Sequence, residues 1–187
     1  MLILGLDIST SCTGFCVVNE ENKVIFLDYE NFKGCKDFWE KTDRIEEKII
    51  RILAEIKPLG KIEKVFVEES LQKFRPGLSS AKTLTTLSKF NGIVCHLVRR
   101  QTGCSPNYLN VNTARKLVGL KIERGKDTKE QVFEWVKSDV YMHAQVWQKK
   151  KMKSGPRKGL EILDPVCYDM ADAYVISKAG LVNLLKN

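Results

Sequence analysis

Short apolar runs separated by polar turns open the chain. Residues 2–6 are apolar, 8–12 (Ile-Ser-Thr-Ser-Cys) are turn-like, 13–18 are largely apolar, 19–22 are polar, and 24–29 return to apolar and aromatic types. Runs of strand length at this spacing predict a three-stranded antiparallel meander. The period then changes. Phe38, Ile45, Ile49, Ile52, Leu53 and Ile56 share one face of a 3.6-residue repeat, which predicts a helix over about 37–57, ended by Pro58 and Gly60. Val65-Phe66-Val67 is a compact strand leading into Glu68 and Glu69, and 72–80 read as a loop around Pro76 and Gly77. A second helix is predicted over about 80–100, with Leu84, Leu87, Val94, Leu97 and Val98 on its apolar side. Residues 107–111 predict a fifth strand, 113–118 a short helix capped by Asn112, and Asp127 or Thr128 the start of a helix through Val140. Asp164-Pro165 opens the last helix, with Asp as cap and Pro in the first position. Three strands, helix, strand, helix, strand and helices describe an α/β domain, a mixed five-stranded sheet with helices on its faces.

Composition narrows the functions such a domain can serve. At 187 residues, 43% apolar and with a mean hydropathy of −0.23, the chain is expected to be one globular domain spanning 1–187. The longest apolar runs are far too short for a bilayer, and the first residues lack the pattern of a signal peptide, so a cytoplasmic protein with no membrane role is expected. Six cysteines occur with no C-x-x-C, which gives no support to a zinc ribbon, and a disulfide framework is not expected without secretion. Two histidines exclude a His-rich metal centre, so any chemistry must be run by carboxylates. The net charge of +8 favours polyanions, although membrane surfaces and acidic proteins would also be attracted.

Four acids stand where chemistry would need them. Asp7 follows the first apolar run, Glu68 ends the run Val65-Phe66-Val67, and Asp169 and Asp172 lie three apart on one face of the last helix. If the two strands are adjacent, their terminal carboxylates converge at one edge of the sheet and the helix adds two more. Glu69 competes with Glu68, since alternation puts them on opposite faces. Clustered carboxylates raise one another's pKa and need cations. Two magnesium ions, or manganese, roughly 4 Å apart would suit these oxygen donors and a phosphodiester substrate.

These residues resemble the RuvC family of Holliday-junction resolvases. Residues 5–18, with Asp7, the small-residue turn and Thr13-Gly14, resemble its opening strand and turn. Val65 to Glu69 looks like its second acidic strand, and Asp169-Met170-Ala171-Asp172-Ala173 is similar to its closing D-x-x-D-A helix. The segments 114–119 (Ala-Arg-Lys-Leu-Val-Gly) and 129–132 (Lys-Glu-Gln-Val) look like its two lysine-bearing segments, in the same order. The resemblance implies a ribonuclease H-like fold, a homodimer formed through the second long helix, and paired magnesium-dependent nicks in four-way DNA junctions. It implies Asp7, Glu68, Asp169 and Asp172 as catalytic metal ligands, and Lys116 and Lys129 as DNA or phosphate contacts.

Two departures carry their own expectations. Leu71 stands about where the family has an aromatic used against unstacked bases, and Phe74 between Lys73 and Arg75 offers a base-stacking tip instead. A basic insertion at about 141–163, with Lys149, Lys150, Lys151, Lys153, Arg157 and Lys158, is expected to follow a DNA backbone. Its length suggests a viral, phage or organellar variant; the cytoplasmic location expected above would then be the nucleoid, or the host cytoplasm if the protein is viral. Alternatives are another ribonuclease H-like nuclease acting on RNA–DNA hybrid or branched DNA, an actin-like ATPase lobe, and a non-catalytic DNA-binding module.

Overall fold

Alternation along the first strand divides the protein into two layers. In the computed structural model, which describes residues 1–69, 81–143, 145–156 and 158–186, β1 is Leu2–Ile8. Leu2, Leu4, Leu6 and Ile8 point to one face of the sheet, and Ile3, Gly5 and Asp7 to the other. β2 (Cys12–Asn19) and β3 (Val24–Asn31) follow as the expected antiparallel meander, with Leu6 opposite Phe15 and Asp7 opposite Gly14.

The first face receives α1 (Phe38–Ile56), whose N-cap Asp37 accepts from the Glu40 amide. Ile45, Ile49, Ile52 and Ile56 are each buried against Phe15, Val17, Val65 and Val67, a contribution of roughly 1.5–3 kcal/mol per side chain. Ion pairs Arg44–Glu30 and Lys48–Asp28 tie the same helix to β3. The chain then enters β4 (Ile62–Glu68), parallel to β1, and crosses by α2 (Ala81–Thr102) to β5 (Pro106–Leu109), parallel to β4. The sheet order is β3-β2-β1-β4-β5, so β1 and β4 are central and adjacent.

The second face is covered by α5 (Val166–Lys186), with α3 (Val111–Leu117) and α4 (Thr128–Ser138) beside it. Between α4 and α5 lies an isolated hairpin, β6 (Lys149–Lys151) with β7 (Glu161–Leu163). No helix among the described residues is long and apolar enough to cross a membrane.

Several boundaries differ from the sequence expectation. β5 ends at Leu109, and Asn110 rather than Asn112 caps α3, its side chain accepting from the Asn112 amide. Helix α4 stops at Ser138, because Asp139 turns to extended backbone and caps a short 3-10 turn. Regular helix in α5 begins at Val166, with the Asp164 side chain accepting from that residue's amide. Asp169 therefore belongs to the first turn, where the helix dipole also favours an anion. The basic insertion expected at about 141–163 contains a paired ribbon.

Candidate active site

Adjacent parallel strands and one close helix bring the four acids together. Leu6 of β1 pairs with Val67 of β4, so the next residues, Asp7 and Glu68, leave the sheet side by side at its C-terminal edge. Phe66 lies in the α5-side core and Val67 in the opposite one, so alternation turns Glu68 toward α5 with Asp7. Register thereby separates Glu68 from Glu69, whose amide instead donates to the Leu109 carbonyl.

Asp169 and Asp172 arrive because α5 lies almost on the sheet backbone. A Cβ on Gly5 would stand 2.5 Å from the Ser177 amide nitrogen and 2.6 Å from the Ala173 carbonyl oxygen, and one on Gly14 only 2.1 Å from the Asp169 carbonyl oxygen. Gly14 is also the residue opposite Asp7. The Thr13-Gly14 pair thus does a positional job, since no side chain at residue 14 would let the Asp169 turn sit beside Asp7.

Each acid keeps part of its surface accessible while protein crowds around it. Burial raises Asp7 well above the ordinary carboxylate range, and Glu68, Asp172 and Asp169 add to the shift as neighbouring negative charges. Glu68 is pushed up to about 7, first by burial and then by Asp172. Asp172 is pushed up to about 6 by burial, with Asp169 adding to it, and burial also raises Asp169. Among the described residues, two cations oppose these shifts. Arg115 of α3 stands 3.9 Å from the Asp172 carboxylate and lowers Glu68 and Asp172, and Lys129 of α4 lowers all four acids. The Cys12 thiol donates a hydrogen bond to Asp169 and is itself held protonated, mainly by burial.

Among the described residues no three of these groups converge tightly enough to form a ready-made metal cage. The donor set nonetheless fits a hard divalent cation. Magnesium takes oxygen ligands only, holds on to several waters and commonly binds through one or two carboxylates plus phosphate oxygens, so a closed protein cage is not its habit.

No protein-family model matches the chain, and no curated protein matches its sequence. Solved structures do match. RuvC of Thermus thermophilus in complex with a Holliday junction substrate aligns with a TM-score of 0.67 at 16% identity, covering 100% of this chain and 96% of that one. A second Thermus thermophilus RuvC structure aligns with a TM-score of 0.63 at 19% identity, again over 100% and 96%.

The fold is RuvC-like.

On this RuvC-like frame the four acids named from the sequence share one neighbourhood, and Lys129 is beside them, with its ammonium 6.0 Å from the Tyr168 ring centre. Lys116 is exposed on α3, and the cation of that helix that meets the acids is its neighbour Arg115. Sequence reasoning missed Arg115 and Cys12. The only signal for Arg115 was its place beside Lys116, and nothing marked Cys12 except its position in the turn after Asp7. Lys73, Phe74, Arg75 and Arg157 lie outside the described residues. Lys149, Lys150, Lys151, Lys153 and Lys158 are exposed on the β6–β7 ribbon and the turn it carries.

The position of Arg115 makes a testable demand. Without it, Glu68 and Asp172 lose a charge that favours their ionised forms. Arg115→Gln is expected to move the acid limb of the activity–pH profile upward at subsaturating magnesium, and to lower the rate at pH 7 by about tenfold to a hundredfold. An unchanged acid limb would remove Arg115 from the site's electrostatics.

Proposed function

We propose that the chain is a divalent-cation-dependent endonuclease that resolves four-way DNA junctions, cutting phosphodiesters by in-line attack of water to leave 5′-phosphate and 3′-hydroxyl ends. The observation that carries this reading is the gathering of four carboxylates, from two strands and a helix, into one largely desolvated cluster that faces, among the described residues, two cations. Such a cluster costs stability in the metal-free fold, and a structural role would not call for it.

Asp7, Glu68, Asp169 and Asp172 would hold magnesium or manganese. The bound cations would activate a water and offset charge on the leaving oxygen. Asp7 and Glu68 sit at the ends of central strands, each with ladder partners on both sides, which fixes the backbone that carries their carboxyls. Asp169 and Asp172 are held by the glycine-permitted approach of α5. Arg115 and Lys129 add two fixed positive charges beside the acids, the preorganised complement that a phosphate gaining negative charge in its transition state requires.

DNA as the substrate is supported by the net charge of +8, and the four-way junction by the resemblance of the fold to a RuvC solved with that substrate. Paired symmetric nicks require two such sites related by a two-fold axis, as a homodimer supplies. A cleft of 660 Å³ between α1 and α2, lined by Phe38, Trp39, Ile93 and His96, with Trp39 67% exposed, is the face on which a second copy would dock.

The test is incubation with labelled four-way junction, linear duplex and RNA–DNA hybrid, with and without magnesium. Symmetric, metal-dependent nicks confined to the junction are expected. Cutting of the hybrid instead would make the protein a ribonuclease H, and tight binding with no cutting of any substrate would make it a DNA-binding module.

The raised carboxyls predict a second, activity-free readout. Their folded-state pKa values exceed those of the unfolded chain, so the folded protein binds more protons and the metal-free fold loses stability as pH rises, for Glu68 from its ordinary 4.5 toward about 7. Above that window Glu68 and Asp172 are ionised, repel one another and favour uptake of a cation. Magnesium at 10 mM is therefore expected to raise Tm by about 3–6 °C at pH 8 and hardly at all at pH 5. Equal shifts at both pH values in a thermal melt would place the cation elsewhere.

A further inference from the structure

The ribbon between α4 and α5 is not a part of the five-stranded sheet and carries none of the four acids. β6 is three exposed lysines, and Lys153 and Lys158 extend the charge into the turn that follows. Against them stand two acids, Glu161 opposite Lys151 and Asp164 4.0 Å from Lys150. The ladder continues past β6 and β7, with the Met152 amide 3.0 Å from the Leu160 carbonyl and the Gly159 amide 2.9 Å from the Met152 carbonyl. A two-stranded ribbon is marginal by itself, more so with like charges on successive residues.

Its root explains its order. Trp147 stacks edge-on against Phe133 of α4, ring centres 4.8 Å apart. The Gln148 carbonyl accepts from the Asp164 amide at 2.9 Å and the Cys167 thiol at 3.5 Å, and the Gln148 side-chain oxygen accepts from the Tyr29 hydroxyl at 2.8 Å. The ribbon is therefore pinned to β3, α4 and α5 at once. From this root α5 needs only its first turn to reach Asp169. Phe133 also meets Tyr168 at 5.8 Å, and Tyr168 lies under Lys129, so the ribbon's root and a cation of the acid site rest on one stack of rings.

Resting on the nuclease reading above, we infer that the β6–β7 ribbon grips a duplex arm of the DNA at a fixed distance from the phosphate presented to the acids. A two-stranded ribbon fits the major groove or tracks a phosphate backbone, and its cations replace condensed counterions there. At about 3.3 Å per residue, Lys151 and Lys153 stand roughly 10 and 17 Å along the strand from Gln148. A folded arm at a set distance fixes which phosphodiester enters the site; a solvated loop would only raise overall affinity.

The experiment compares two full-length variants with equal charge change. One is K149Q/K151Q/K153Q/K158Q, which spares Lys150 and its partner Asp164 at the root. The other is K23Q/K57Q/K61Q/K64Q, exposed lysines at the opposite end of the sheet, where Leu2 pairs with Asn19 and Ile62. Binding to a labelled four-way junction is measured by fluorescence anisotropy without divalent cations, over a salt series, with thermal melts to check folding. The ribbon variant is expected to flatten the slope of log K against log salt by about 3.6, 0.9 for each of the four lost phosphate contacts, and to bind at least about a hundredfold more weakly at 0.1 M salt. The opposite-end variant should keep the parent slope. In the parent chain, bound junction should shield Lys153 and Lys158 from acetylation. Equal loss in both variants would reduce the effect to net charge and overturn the inference, as would an unchanged slope in the ribbon variant or no shielding. A parent chain that binds junction but fails only these tests leaves the nuclease reading standing; a parent that binds no DNA ends both.

Discussion

Asp7→Asn is expected to abolish metal-dependent cutting of the four-way junction, by about a thousandfold or more, while junction binding without metal stays within a few fold of the parent. Asparagine keeps the shape and loses the charge. Asp7 is also the acid that burial and all three neighbours oppose most, so the exchange relieves repulsion in the metal-free fold. The variant should therefore melt at a higher temperature than the parent at pH 8 without magnesium, and gain less when magnesium is added. Gel assays of cleavage and thermal melts test the two halves separately. An active Asp7→Asn protein would sink the site assignment, and a variant that neither cuts nor binds would point to lost folding.

Gly14→Ala is expected to do comparable damage by another route. The added methyl would meet the Asp169 carbonyl oxygen at 2.1 Å, and both partners are backbone, one in the sheet and one in the first turn of α5. Neither can swing aside as a side chain would. The helix must lift at the end that carries Asp169 and Asp172, at a cost of about 3 kcal/mol and a fall in Tm of about 6–12 °C. Its magnesium response should fall with its stability, because half the ligands move. Gly34→Ala, at a turn with nothing within 4 Å of the added atom, is a useful control for handling although its positive φ adds some strain. A Gly14→Ala protein with parental Tm and magnesium response would show that α5 need not lie so close.

Much of this arrangement was legible in the chain. A short apolar run ending in an acid occurs at Asp7 and again at Glu68, and the acids at 169 and 172 share a helix face at any docking angle. Pairing was not legible. Which acid after Val67 joins Asp7 depends on the register of β4 against β1, and a single residue of slip would exchange Glu68 for Glu69. The cap of α3 went astray for a related reason. Asn110 and Asn112 flank Val111, either asparagine makes a good cap, and alternation through Leu109 and Val111 mimics a strand that in fact stops at Leu109. Arg115 and Lys116 are successive on a helix, about 100° apart around its axis, so only the docking of α3 on α5 decides which one meets the acids. Three successive lysines carry no alternating pattern, so β6 gave no strand signal, and its order comes from contacts of Trp147 and Gln148 with distant elements.

The placement of half the acids on α5 also bears on synthesis. A nascent chain that has emerged as far as Leu163 contains every strand of the sheet, Asp7 and Glu68, yet its second apolar face is still bare and its cluster holds half its charge. The helix that covers that face is the same one that completes the cluster. Maturation of the core and completion of the acid cluster are thus one docking event, and a fragment released early from the ribosome would lack both.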